Sequence, residues 1–375
     1  MKKGHYNIDI LILIPVLLLI FFSIVLVYSA SSDYALNKFD DASYLLKSHL
    51  FKVIISLVLF FFAVKIDYRI YQDLSKVLVI VTIILLVIVL FTSSSVKNVN
   101  RWLNLGPLSF QPSDLAKYAL ILHMANLLVR KETYLDNLYR GYLPVLLYVL
   151  LVCGLIALQP NFSTAVIVFI SSVSLMLISG VRFKHVFITI ISLIPFAVLF
   201  VLSKSYIIAR IENYAEFSST GTAQHQLNQA IIGLGNGGLF GVGMGNSVQK
   251  EFFLPESYGD FIFAILGEEY GFIGTLFVVL LFMTLLFRGF KTSKEVNDPF
   301  GKYLSFGITT MILLYAVVNM SVASGIFPTT GVPIPFVSFG GTAMIFNSIA
   351  AGVLVNISSF RKRNNRQSNL AEVQS

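Results

Sequence analysis

Three carboxylates, Asp260, Glu268 and Glu269, fall in the segment Phe253–Gly274, FLPESYGDFIFAILGEEYGFIG, where a polar stretch enters an apolar run. Acids at such a depth are costly unless they face a cavity, a cation or basic partners. Glu268 and Glu269 are candidate cavity-lining residues, although structural pairing with lysine or arginine could also explain them. Asp260 sits at the mouth of the run, where it can meet an incoming substrate. A carboxylate near a hydroxyl in a partly desolvated site can serve as a general base. Glu256, four residues earlier, is expected to be a solvated loop acid.

Three further segments carry polar or conformationally special residues. The first is Arg101–Lys117, RWLNLGPLSFQPSDLAK. Gly106-Pro107 marks a turn, and Pro112-Ser113 suits a helix start, with Asp114 complementing the positive helix end. Asp114 and Lys117 are three apart and share a helix face. They form either a helix-terminal charge pair or part of a cavity lining. Trp102 suits the membrane interface. The second segment, His225–Lys250, holds seven glycines from Gly233 to Gly245. It could present backbone N–H groups to a phosphate, or form a flexible re-entrant or surface loop; it lacks the ending of a P-loop. His225 has no spaced partner for zinc. The third, Phe327–Gly341, FPTTGVPIPFVSFGG, has three prolines and three glycines between two apolar runs. Such backbone survives at membrane depth only when buried in protein or lining an aqueous cavity. It is expected to be a re-entrant hairpin closing that cavity, with Ser338 among the lining residues.

The elements that must position these groups are helices in a bilayer. Of 375 residues, 56% are hydrophobic and 12% charged, about half the charged fraction of a soluble domain. The expected fold is an all-α polytopic membrane protein with about ten transmembrane helices. Apolar stretches lie near 8–30, 49–65, 75–92, 113–129, 142–158, 162–180, 186–203, 259–287, 303–324 and 342–357. Lys2 and Lys3 precede the first run as in a signal peptide, but its length favours a retained anchor. A large outer loop, 204–258, separates spans 7 and 8. Residues 1–360 form one domain, and 361–375 a basic, disordered tail able to touch anionic lipid headgroups. The single cysteine, Cys153, excludes an intrachain disulfide and suits a small core position. The net charge of +8 is dispersed among short loops, which argues for topology-setting charge and against nucleic acid. Eighteen Lys and Arg fall on the face holding both termini and nine on the other. The positive-inside rule makes the first face cytoplasmic and leaves the long polar segments outside.

In this order and on one face, the motifs Arg101–Lys117, Phe253–Gly274 and Phe327–Gly341 resemble those of the SEDS family (shape, elongation, division and sporulation), which includes FtsW and RodA. The resemblance covers the whole chain. It implies a glycosyltransferase that polymerises lipid II at the outer face of the bacterial cytoplasmic membrane. It also implies partnership with a class B penicillin-binding protein, the transpeptidase, and with other divisome or elongasome membrane proteins. The family's catalytic aspartate falls on Asp260, and the carboxylate and lysine of its fourth span fall on Asp114 and Lys117. Three departures stand out: Asp114 where glutamate is usual, Asn161 where many members carry aspartate, and Phe339 with Thr342 where tyrosine and serine are common. Pro328–Pro333 and Leu354–Ser358 look more like FtsW than RodA.

The mechanism implied is inverting glycosyl transfer, with Asp260 as the base. A divalent cation, Mg²⁺ or Mn²⁺, with Asp260 as a candidate ligand, would offset the leaving diphosphate together with Arg101, Lys117 and Arg210. Two other classes compete. A lipid II flippase needs ionisable residues continuing toward the cytoplasmic side, whereas these carboxylates cluster near the outer end. A non-catalytic division scaffold leaves Asp260 unexplained.

Overall fold

The computed structural model describes residues 8–92, 101–105, 108–215, 222–252, 254 and 257–361. The Gly106-Pro107 turn, Glu256 and the tail beyond 361 lie outside the described residues. Helices dominate: α1 (Ile10–Phe39), α2 (Tyr44–Lys65), α3 (Arg69–Phe91), α4 (Pro112–Arg130), α5 (Leu143–Leu158), α6 (Phe162–Ile178) and α7 (Phe183–Leu202). The segment between α7 and α11 carries α8 (Ser205–Ala215), α9 (Thr222–Asn236) and α10 (Val248–Phe252), and α11 (Ile262–Glu295), α12 (Pro299–Ala323) and α13 (Thr342–Ser358) follow. One short antiparallel ribbon, β1 (Leu103–Leu105) with β2 (Leu108–Phe110), precedes α4. The chain is thus an all-α, largely membrane-embedded protein. Seven helices, α1, α2, α3, α5 with the turn before it, α7, α11 and α12, are long and apolar enough to cross a bilayer. The apolar α6 and α13 are 17 residues each, and α4 has 19 residues with Asp114 and Lys117 in its first two turns.

Local chemistry sets the helix ends. Asp9 caps α1 by accepting from the Leu11 N–H at 3.0 Å, and Asp298 caps α12 by accepting from the Gly301 N–H at 3.0 Å, with Pro299 at the first helical position. Pro112 likewise opens α4 and puts Asp114 in its first turn. Helix α13 packs against α2, α3 against α4, and α11 against α1 and α12. At 30 residues α1 runs about 45 Å, well past a bilayer's hydrocarbon core of about 30 Å. The later part of α1 packs against α10, and the Ala30 carbonyl accepts from Ser257 Oγ at 3.1 Å in the segment before α11. At the other end, Asp9 receives Arg288 at 2.6 Å and Arg361 at 2.8 Å, which ties the start of α1 to α11 and to the chain leaving α13.

Candidate active site

The sequence-predicted residues separate into three groups, all at the end of the bundle that holds the polar connections. The first is the pair on α4. Lys117 is fully buried and its Nζ donates to Asp114 Oδ1 at 3.1 Å. Thr342, opening α13, donates to the other carboxylate oxygen at 2.9 Å, and the Gln111 N–H donates to Thr342 Oγ1 at 3.1 Å. The ammonium also lies 4.4 Å above the Tyr315 ring. A buried ion pair survives only when its remaining valences are met in this way. The pair thus joins α4, α12 and α13.

The second group surrounds Asp260, which is partly buried in the turn leading into α11. Its backbone oxygen accepts from Asn319 Nδ2 of α12 at 2.8 Å, and the same nitrogen donates to the Val332 carbonyl at 2.8 Å. Its Oδ2 faces Gly331, and Arg210 on α8 donates to the neighbouring Thr330 carbonyl at 3.3 Å. Arg101 donates to the carbonyls of Gln159, at 3.2 Å, and Pro160, and interacts electrostatically with Asp260 and Arg210. Burial, with Arg210 beside it, holds the Arg101 guanidinium below its ordinary pKa, while Tyr206 and Asp260 act in the opposite sense. Two guanidiniums brought together out of bulk water favour an anion between or beside them. Among the described residues no three His, Cys, Asp or Glu side chains converge to hold a metal ion.

The third group is Glu268 and Glu269, both buried in α11. Glu268 accepts from Ser247 Oγ and from the N–H groups of Val248, at 3.2 Å, and Gln249, at 3.4 Å, at the start of α10. Glu269 accepts from Ser29 Oγ at 2.5 Å and from the Gly245 N–H at 3.1 Å, with Lys250 Nζ at 3.6 Å. The glycine-rich stretch explains this arrangement. Gly271, at φ +65°, interrupts α11, and the glycine loop grafts onto the break. Val242 and Gly243 donate to the carbonyls of Glu268 and Glu269 at 2.9 and 3.1 Å, while Phe272 and Ile273 donate to those of Gly238 and Leu239 at 2.9 and 3.2 Å. A Cβ on Gly241, itself at φ +82°, would collide with the Glu269 carbonyl. Of the N–H groups that sequence reasoning offered to a phosphate, those of Gly243 and Gly245 are here used by α11, and those of Gly237, Gly238 and Gly241 by carbonyls of the same stretch.

Residues 327–341 link the groups. The described residues of this hairpin form no helix or strand, yet Val332, Ile334, Phe336, Val337 and Ser338 are buried. Ser338 Oγ accepts from the Ile334 N–H at 2.9 Å and so closes a turn within the hairpin. The Phe339 N–H donates to the Tyr258 carbonyl at 2.9 Å, two residues before Asp260. Asn161, which opens α6, lies 3.5 Å from Ser113 Oγ beside the α4 pair. Sequence reasoning missed Lys52 on α2, which is buried against this hairpin; a lone cation inside an apolar run was the signal.

Residues 9–363 match the family model for cell cycle proteins of the FtsW, RodA and SpoVE group. Stage V sporulation protein E of Bacillus subtilis is 37% identical over 94% of this chain and 98% of its own length. A probable peptidoglycan glycosyltransferase FtsW of Trichlorobacter lovleyi is 35% identical over 94% of this chain and 93% of its own length. Among solved structures, a chain from a peptidoglycan synthase complex superposes with a TM-score of 0.79 at 24% identity, covering 96% of this chain and 99% of that one. The Thermus thermophilus rod shape determining protein RodA gives 0.70 at 24% identity, covering 96% of this chain and 99% of its own. The chain belongs to the FtsW/RodA/SpoVE family of cell cycle proteins.

Proposed function

We propose that this chain is a peptidoglycan glycan-strand polymerase that joins lipid II units at the outer face of the bacterial cytoplasmic membrane. The observation that carries the reading is Asp260 at the mouth of α11, with Arg101 interacting with it and Arg210 held beside the same hairpin. The relatives named as peptidoglycan glycosyltransferases support the same chemistry. Asp260 takes the proton of the acceptor GlcNAc 4-hydroxyl, whose oxygen attacks the anomeric carbon of a lipid-linked MurNAc. The new glycosidic bond forms with inversion as the bond to phosphate breaks, and undecaprenyl diphosphate leaves with the electron pair. Arg101 and Arg210 offset its charge. Lys117, buried and held by Asp114, positions α4 and α13 around the site instead.

The topology that goes with this activity has ten spans, α4, α6 and α13 included, and both termini cytoplasmic. Asp260 and the segment 204–258 are then outside. A class B penicillin-binding protein would crosslink the product, and within the family the hairpin sequence favours an FtsW-like role in division over a RodA-like one. The test is to incubate the purified chain, with and without its transpeptidase, with labelled lipid II and Mg²⁺ or Mn²⁺. Polymer of many disaccharides is expected. If both preparations make none while the chain carries lipid II across vesicle membranes, the transporter reading replaces this one.

A further inference from the structure

Lys52 has no role in the site described so far, yet its surroundings are unusual for a lysine. It lies on α2, inside a span, with 6% of its surface exposed. Its ammonium sits 4.0 Å above the ring of Phe339 and makes no hydrogen bond or ion pair among the described residues. One turn earlier His49 is wholly buried; Nε2 is 2.9 Å from Ser23 Oγ and Nδ1 has no partner. The other buried ammonium groups near the site differ: Lys117 has Asp114, and Lys250 has Glu269 and the Gly245 carbonyl. A cation–π contact is worth roughly 0.5–2 kcal/mol, whereas removing an ammonium from water costs several kcal/mol. Phe339 alone therefore leaves Lys52 undercompensated, and an anion would supply the balance.

The position suggests which anion. Lys52 lies eight residues past Tyr44, which opens α2, and Lys117 five residues past Pro112, which opens α4, so they sit about 12 and 7.5 Å along their helices. Phe339 and Thr342 are three residues apart, at most about 11 Å of chain, which keeps Lys52 close to the Asp114 pair. Phe339 also meets Tyr258, two residues before Asp260. At this depth a membrane-anchored phosphate is within reach, whereas a peptide stem would project outward. We infer that Lys52 is a binding residue for the diphosphate of a polyprenyl-linked substrate, on the α2 side of the site and across the hairpin from Arg101 and Arg210. The inference rests on the polymerase reading for the identity of that lipid.

The full-length parent, Lys52→Met and Lys52→Arg, each in nanodiscs, are titrated with undecaprenyl diphosphate, undecaprenyl phosphate and undecaprenol. Losing a charge-assisted hydrogen bond should weaken diphosphate binding by Lys52→Met about ten- to hundredfold. The monophosphate should lose less, undecaprenol nothing, and Lys52→Arg should regain most of the loss. Equal weakening for all three lipids indicates a structural lysine and overturns the proposal, as does parental diphosphate binding by Lys52→Met. If the parent polymerises lipid II in the same nanodiscs while Lys52→Met binds like it, Lys52 alone is wrongly assigned. If the parent makes no polymer yet loses diphosphate binding on Lys52→Met, the anion site stands and the polymerase reading falls. A parent that binds the diphosphate no better than the alcohol overturns both.

Discussion

Asp260 and Glu269 lie within three turns of each other at the same end of α11, and the structure treats them in opposite ways. Glu269 is sealed under the glycine loop and receives a serine, a backbone N–H and a lysine from its own chain. Asp260 stays partly accessible at the mouth, its main chain held by Asn319 and its side chain turned toward Gly331 and the field of Arg101. Glu269 and its neighbour hold the break in α11 in shape; in the polymerase proposed above, Asp260 is the carboxylate that acts on an arriving substrate. Carboxylate count alone does not reveal this difference. It comes from how deeply the fold buries each side chain and what it sets beside it.

The comparison can be broken most forcefully by removing each charge in turn. Asp260→Asn should cut steady-state polymerisation by about 10²–10⁴-fold, the usual contribution of a general base. Its melting temperature should stay within about 1 °C of the parent, less than 1 kcal/mol for a chain this large. Lys117→Met should do the reverse of a clean catalytic loss. It strands Asp114 in a buried site at about 3–5 kcal/mol, measured by unfolding in detergent, and adding Asp114→Asn should return part of that. Strictly additive losses would mean that the two do not act as a unit. Glu269→Gln, which weakens the seal under the glycine loop, should cost about 1–3 kcal/mol of stability, with polymerisation per folded molecule largely kept. A large loss of turnover in a fully folded Glu269→Gln would erase the distinction drawn here.

The smallest effect belongs to a third carboxylate, Asp41, in the exposed turn between α1 and α2. Hydrogen bonds from Lys47 and Ser43 pull its pKa down to about 2. The sign follows from a depressed folded value: any stabilisation is present above the unfolded pKa and is lost as pH falls through about 2. Lys47→Ala should move the titration back toward 3.8, followed by carboxylate NMR, with no measurable change in stability at neutral pH.

Much of this was legible in the chain. Each apolar stretch in the sequence coincides with a helix, because spanning length and composition are local properties, and Pro112 with Asp114 marked the start of α4. Asp260 was separated from Glu268 and Glu269 by its place at the edge of the apolar run. What could not be read was non-local. The insertion of Gly238–Gly243 at Gly271 rests on hydrogen bonds between residues about thirty apart, and nothing in the local pattern names the partner. The helices α8, α9 and α10 lie in a segment taken as loop, where shortness and polarity hide helical periodicity. In the sequence Lys52 is a lone cation in an apolar run, and its place depends on α2, α13 and the hairpin coming together.

The central claim is that Asp260 acts on the substrate and not on the fold. Single-turnover measurement tests it most directly: parent and Asp260→Asn are preloaded with saturating labelled lipid II in nanodiscs, and formation of the first glycosidic bond is followed by rapid quench. Equal lipid II occupancy, with bond formation slowed by about 10²-fold or more in Asp260→Asn, is the predicted result. Bond formation at close to the parental rate, at the same occupancy, would contradict the account.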